Sequence, residues 1–262
     1  MELLRLQAAD LAHLSPEIAI VVCALVLTVL DLALPNRINR SFIGYLTLLG
    51  IIVSAVLVCF KIGDPETVSL LNNSYRVDDF GNLFKLLFLG GTGLIVFMSL
   101  GTVKKEEVPH VGELYYLILP ALLGAMVMVS SGDLITLFVG LELLSITSYI
   151  LVGMRKKNVQ SSEGAFKYMV LGSIASAFIL YGISFVYGMG GSTNLAELAG
   201  NLYHNFDSNG ALMYVSFFLI LAGLGFKIAA VPFHQWAPDV YQGAPLPVTA
   251  FLAIISKGAG LA

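Results

Sequence analysis

The sequence predicts an all-α fold, a polytopic bundle of transmembrane helices whose seventh member is discontinuous. Three observations lead there. Of the 262 residues, 57% are hydrophobic and only 12% charged, against about 25% charged in soluble domains, and the mean hydropathy is +0.86. The apolar residues fall in runs of about 20, the length a helix rising about 1.5 Å per residue needs to cross about 30 Å of hydrocarbon. A stretch carrying Pro, His and Trp, 231–247, interrupts the last apolar region.

Taken in order, the runs place eight spans. The first covers 16–34, with Pro16 in its first turn, where a missing N–H is harmless, and Pro35 at its stop. The second covers 42–60. A polar link, 61–79, follows, with Asp64-Pro65 and Asn72-Asn73 as turn signals. The third covers 80–100 and ends before Lys104-Lys105-Glu106-Glu107. The fourth, 113–129, leads through Ser130-Ser131-Gly132 into the fifth, 133–154, with Asp133 at the helix start and Arg155-Lys156-Lys157 at its end. The sixth covers 162–187. A polar loop, 188–209, holds a short helix near 194–204. The seventh starts near Ala211 and breaks at Pro232, which cannot bond the Ile228 carbonyl. The eighth starts near Ala244. No charged flank closes it, which predicts a piece of a longer protein. Residues 1–110 hold an N-terminal three-helix segment and 111–262 a group of five spans, incomplete at its C-terminal end.

Basic residues set the orientation. Links one, three and five hold Arg37, Arg40, Lys104, Lys105, Arg155, Lys156 and Lys157, whereas links four, six and seven hold no Lys or Arg. In link two, Lys61 and Arg76 are offset by Asp64, Glu66, Asp78 and Asp79. The positive-inside rule then puts the N-terminus outside. Residues 1–16 lack a basic region followed by a small-residue cleavage site, so no signal peptide is expected. Cys23 and Cys59 read as buried free thiols, the histidines lack ligand spacing, and no basic stripe suggests nucleic acid.

Charges inside the spans are the functional candidates, because ionisable groups are costly in hydrocarbon. Glu142 lies roughly 14 Å into its helix, with Ser145 and Tyr149 on its face. Lys227 lies about 16 residues into the seventh span, beside the break. Irregular backbone is tolerated there only against protein or water. Glu142 is its natural partner: a carboxylate favours the ammonium, dehydration favours the free amine. Lys257 lies roughly 20 Å along the eighth helix. His234 is a relay between lysines or a partner for a freed carbonyl. Lys167 is a snorkelling residue or a member of the path, with Glu163 one turn away. Trp236 and Tyr241 read as interface or packing anchors, and Asp239 as a partner of loop backbone. Lys85 and Asp31, near span ends, read as solvated or snorkelled. Gly90, Gly91 and Gly93 permit close helix packing.

These residues carry a resemblance. FKIAAVPFHQWAPDVYQGAP at 226–245 and TAFLAIISKGAG at 249–260 resemble the antiporter-like membrane subunits of respiratory complex I, and GLELLSITSYILVG at 140–153 and EGAFKYMVLGS at 163–173 are similar to that family's fifth and sixth helices. The wording PDVYQGAP and SKGAG is closer to the subunit N branch than to its M and L relatives. The resemblance implies about fourteen helices with two inverted five-helix repeats. It implies that Glu142 tunes Lys227, that Lys257 is the connecting lysine, and that His234 and Lys167 extend a polar axis for proton transfer. The implied function is a proton-translocating subunit of a type I NAD(P)H–quinone oxidoreductase in a bacterial plasma membrane, alongside other complex I membrane subunits. The chain itself would carry no cofactor or metal, NADH, flavin, iron–sulfur clusters and quinone being bound by other subunits. The alternative is a stand-alone sodium/proton antiporter subunit.

Overall fold

The computed structural model describes residues 8–35, 40–63, 67–103, 106–204 and 206–262. Glu2 and Arg5 at the N-terminus, the turn expected at Asp64-Pro65, and Arg37, Glu66, Lys104 and Lys105 of the orientation argument lie outside these residues. Among the described residues, seven helices are long and apolar enough to cross a membrane. The chain is an integral, multi-pass membrane protein.

A short helix α1 (Ala8–His13) precedes α2 (Ser15–Ala33) and α3 (Ser41–Cys59). The polar second link is not irregular throughout. It forms a hairpin of β1 (Val68–Leu70) and β2 (Tyr75–Val77), with Val68 opposite Val77. Asn72 and Asn73 turn it at φ 57° and 65°, a left-handed conformation that asparagine tolerates well. Leu70, Tyr75 and Val77 supply its buried face.

Then come α4 (Asp79–Thr102), α5 (Val111–Val129), α6 (Leu134–Val152) and α7 (Val159–Gly190). Each of three starts has a polar cap: Asp78 accepts from the Gly81 N–H, Asp133 from Thr136, and Asn158 from Gln160 and Ser161. These caps pair amide donors that a helix leaves orphaned. Helix α8 (Leu195–His204) occupies the loop where a short helix was expected. The glycines at 124 and 140 let α5 and α6 touch backbone to backbone: a Cβ on Gly124 would stand 2.6 Å from the Leu144 nitrogen.

Helix α9 (Phe206–Lys227) ends five residues before the expected break at Pro232. Ala229 takes a left-handed turn at φ 56°. The Trp236 indole N–H then donates to the Phe226 carbonyl at 3.0 Å, closing the helix end. Turns lead into α10 (Ala237–Gly243), which packs across α7. The eighth apolar segment, Leu246–Leu261, is shorter than the seven spans. It is split into α11 (Leu246–Phe251), a π-helical turn (Leu252–Ser256) and α12 (Lys257–Leu261). Single π turns inside helices are often found at functional sites.

Three backbone-linked loops cover one end of the bundle. Ser131, after α5, bridges to Tyr75 of the hairpin, and Asp133 bridges to Asn194 before α8. Amide–carbonyl bonds from Arg76 to Ser130 and from Leu134 to Thr193 close the layer.

Several sequence readings are corrected. Lys85 is neither solvated nor snorkelled but 1% exposed, paired with Glu17 at 2.9 Å. Asp31 pairs with Arg40 at 2.9 Å in a half-buried bridge across the first link. Asp239 binds a side chain, Lys167, rather than loop backbone. Both cysteines are free, but Cys59 is exposed on the bundle's outer face. Spacing along one helix cannot reveal what a neighbouring helix brings to the same depth.

Candidate functional site

Lys227 is the last residue of α9 and is 4% exposed. Its ammonium donates to the Ser145 hydroxyl at 2.8 Å. Ser145 in turn donates to the Leu141 carbonyl at 2.7 Å, so α6 fixes the acceptor. Glu142 lies one turn before Ser145 and exerts an attraction on Lys227, yet no ion pair joins the two among the described residues. Its carboxylate is instead held by the hydroxyl of Ser176, on α7. The natural partners of the sequence reading are thus neighbours, each anchored by its own serine.

An aromatic wall runs from Tyr149 and Tyr168, which line the same cavity as Lys227, to Tyr241 beside Lys257. Tyr168 is 1% exposed. It meets Tyr149 edge-on at 4.7 Å and stacks on Trp236 at 4.5 Å. Trp236 meets Tyr241 edge-on, and the Lys257 ammonium lies 5.3 Å from the Tyr241 ring centre. Such cation–π contact holds a charge without neutralising it. Trp236 and Tyr241 are therefore packing residues of this wall. The hydroxyls of Tyr168 and Ser256 are buried close together but make no hydrogen bond, and that of Tyr241 is equally unpartnered. Buried hydroxyls without partners call for ordered water. Helix α12 closes the site, its Gly260 lying against the Lys227 stem.

The other two candidates lie apart from this core. Lys167 is 40% exposed and bridges Glu163 at 2.7 Å and Asp239 at 2.6 Å, tying α7 to α10. His234 is exposed in the turn after α9. Its side chain has no hydrogen-bond partner among the described residues, and only its carbonyl is used, by the Ala237 N–H. Ser176 was missed, because serine in an apolar helix gives no signal of the neighbour it will meet. The Glu17–Lys85 pair was missed too. A glutamate after Pro16 in an otherwise apolar run was its one visible trace.

Comparison with known proteins adds to this geometry. The family model described as NADH:quinone oxidoreductase/Mrp antiporter, transmembrane, matches residues 131–262, the part that holds Glu142, Lys227 and Lys257. The chain belongs to this family. Similar family members include NADH-quinone oxidoreductase subunit N of Paenibacillus sp. (strain JDR-2), 51% identical over 97% of this chain and 51% of the relative. Subunit N of Brevibacillus brevis is 49% identical over 100% of this chain and 52% of the relative. The chain spans about half the length of the relatives it matches. Among solved structures, respiratory complex I from Thermus thermophilus contains a chain with a TM-score of 0.77 and 33% identity, matched over 94% of this chain and 51% of that one. An archaeal membrane-bound sulfane sulfur reductase contains another, with a TM-score of 0.83 and 26% identity, over 96% and 51%. The helical bundle is therefore one that this chain shares with those subunits.

Proposed function

We propose that this chain is a proton-translocating membrane subunit of a type I NADH–quinone oxidoreductase. The observation that carries it is the Lys227 ammonium, dehydrated at a helix break and held by Ser145 with Glu142 close by. The names of the relatives support the assignment to that complex. Quinone reduction takes place elsewhere in the assembly, and the redox groups sit on other subunits. The chain lies in a bacterial plasma membrane beside other membrane subunits, its N-terminus outside.

The chemistry follows from two opposed effects. A neighbouring carboxylate favours the ammonium, and dehydration favours the neutral amine. Each tenfold change in proton occupancy takes about 1.36 kcal/mol. A small displacement of Glu142, driven from an adjoining subunit, therefore changes whether Lys227 keeps its proton. The released proton passes to water beside the Tyr168 and Ser256 hydroxyls and on to Lys257, which has first given its own proton onward to water, while Lys227 becomes a neutral amine. Lys167 and His234, nearer the surface, exchange protons with the aqueous side.

The test is purification of the full-length protein from its own membranes, followed by vesicle assays. Co-purification with redox subunits, and NADH-driven acidification of vesicles, are the expected results. Sodium-driven proton exchange by the isolated protein, with no redox partner bound, would overturn the assignment in favour of an antiporter.

A further inference from the structure

Glu17, Lys85 and Tyr75 meet beneath the hairpin, away from Lys227. Lys85 and Glu17 are 1% and 6% exposed. The Lys85 ammonium reaches Glu17 Oε1 at 2.9 Å and donates to the Tyr75 hydroxyl at 3.0 Å. Glu17 Oε2 is buried without a hydrogen bond, and the Ser130 hydroxyl lies beside Tyr75 without closing one. A carboxylate has room for about four donors, so this pair is incompletely satisfied and needs ordered water. A surface pocket lined by His13, Lys61, Asp78, Asp79 and Asn82 lies next to it. Lys61 interacts electrostatically with both Glu17 and Lys85, which links the pocket to the pair.

The pair also has a route toward the core of the bundle. Lys85, Phe88 and Thr92 share one stripe of α4. The Phe88 ring packs against Gly258, next in sequence to Lys257. Thr92 is fully buried and its hydroxyl has no partner. Phe88 thus stands between Lys85, one turn away on α4, and the helix segment that carries Lys257.

We propose that Glu17, Lys85 and Tyr75 form a further proton-transfer site, on the hairpin side of Lys257. It deepens and rests on the proton-transfer reading above. The ammonium of Lys85 gives a proton to the Glu17 carboxylate, leaving a neutral amine and a neutral carboxyl. The carboxyl proton leaves to water in the Lys61 pocket. A proton arriving past Phe88 restores the ammonium, so net charge is conserved over the cycle. Ser130 and Tyr75 orient the water between the two groups.

The experiment uses the full-length protein in its assembled complex, reconstituted in vesicles, with quinone reduction and proton movement read together. The double variant Glu17→Leu/Lys85→Met replaces a buried pair with apolar side chains, a change that folds often accept. It is expected to assemble and to move several-fold fewer protons per quinone reduced. Tyr75→Phe removes one oxygen and is the readout if the double variant does not assemble; a smaller fall in the same ratio is expected. An unchanged ratio in the double variant, or in Tyr75→Phe where only that assembles, overturns the proposal. Lys227→Ala separates the two readings: loss of pumping there beside an unchanged ratio here rejects this site alone. Pumping retained in both rejects the proton-transfer function as well.

Discussion

Lys227 rests on Ser145, not on Glu142. The ammonium donates to the serine hydroxyl at 2.8 Å, and Glu142 one turn away is held by Ser176 instead. The attraction of Glu142 on Lys227 therefore acts across a gap rather than through contact. A neutral acceptor with a carboxylate nearby leaves the lysine's charge responsive to small movements of α6 against α7.

Removing that acceptor has a defined consequence. Ser145→Ala leaves a buried ammonium without its hydrogen bond, an effect of about 1.5–3 kcal/mol for bonds to charged groups. The expected outcome is assembled complex with pumping reduced by about tenfold or more. Ser145→Thr keeps the hydroxyl and is expected to restore most of it. Vesicle acidification rates for the two variants check this.

Ser176 is the second anchor. Ser176→Ala frees Glu142 from α7 while leaving both charged groups in place. The expected outcome is a shifted pH–rate profile with quinone reduction still coupled. A profile identical to that of the parent protein would show that Glu142 does not depend on this serine.

Helix contact is testable at Gly124. An alanine there would place its Cβ 2.6 Å from the Leu144 nitrogen and 2.7 Å from the Gly140 carbonyl oxygen, both backbone atoms that cannot rotate away. Overpacking of this kind costs about 1–3 kcal/mol. Because α6 carries Glu142 and Ser145, Gly124→Ala is expected to lower both thermal stability in detergent and pumping. By contrast, Asp133→Ala removes only the α6 cap, for about 1 kcal/mol, and is expected to lower stability with pumping largely kept.

The hairpin gives a pH dependence. Burial, reinforced by the Glu17 carboxylate, holds the Tyr75 hydroxyl well above the usual phenol range. Its native value is raised, so its contribution to stability is complete below the unfolded value of about 10. That contribution is lost as pH rises beyond it, because the unfolded chain then releases the proton that the native one retains. The stability of the parent protein should fall more steeply above pH ~10 than that of Tyr75→Phe. Alkaline denaturation curves of the two proteins measure the difference.

Much of the bundle was legible because crossing a bilayer imposes a length and an apolar composition on each helix. Asp133 could be placed as a cap, and Asn72-Asn73 as a turn, because each follows from local backbone chemistry. The break after Lys227 was visible through Pro232, but its position was not. It depends on the Trp236 indole reaching back to the Phe226 carbonyl, a contact made only in three dimensions. The depth of Lys85 was hidden for the same reason: its stabilising partner Glu17 is on another helix. His234, read as a relay or as a partner for a freed carbonyl, bonds no carbonyl among the described residues, because the turn leaves it exposed. Single-helix spacing gives depth along the axis, while the direction a side chain faces is decided by packing.

The most direct measurement is the ratio of protons moved to quinone reduced in complex carrying Lys227→Ala, reconstituted in vesicles. The expected result is assembled complex whose proton movement collapses, with no rescue by Lys257. Assembly together with an unchanged ratio would contradict a role for the buried amine at position 227 in proton transfer.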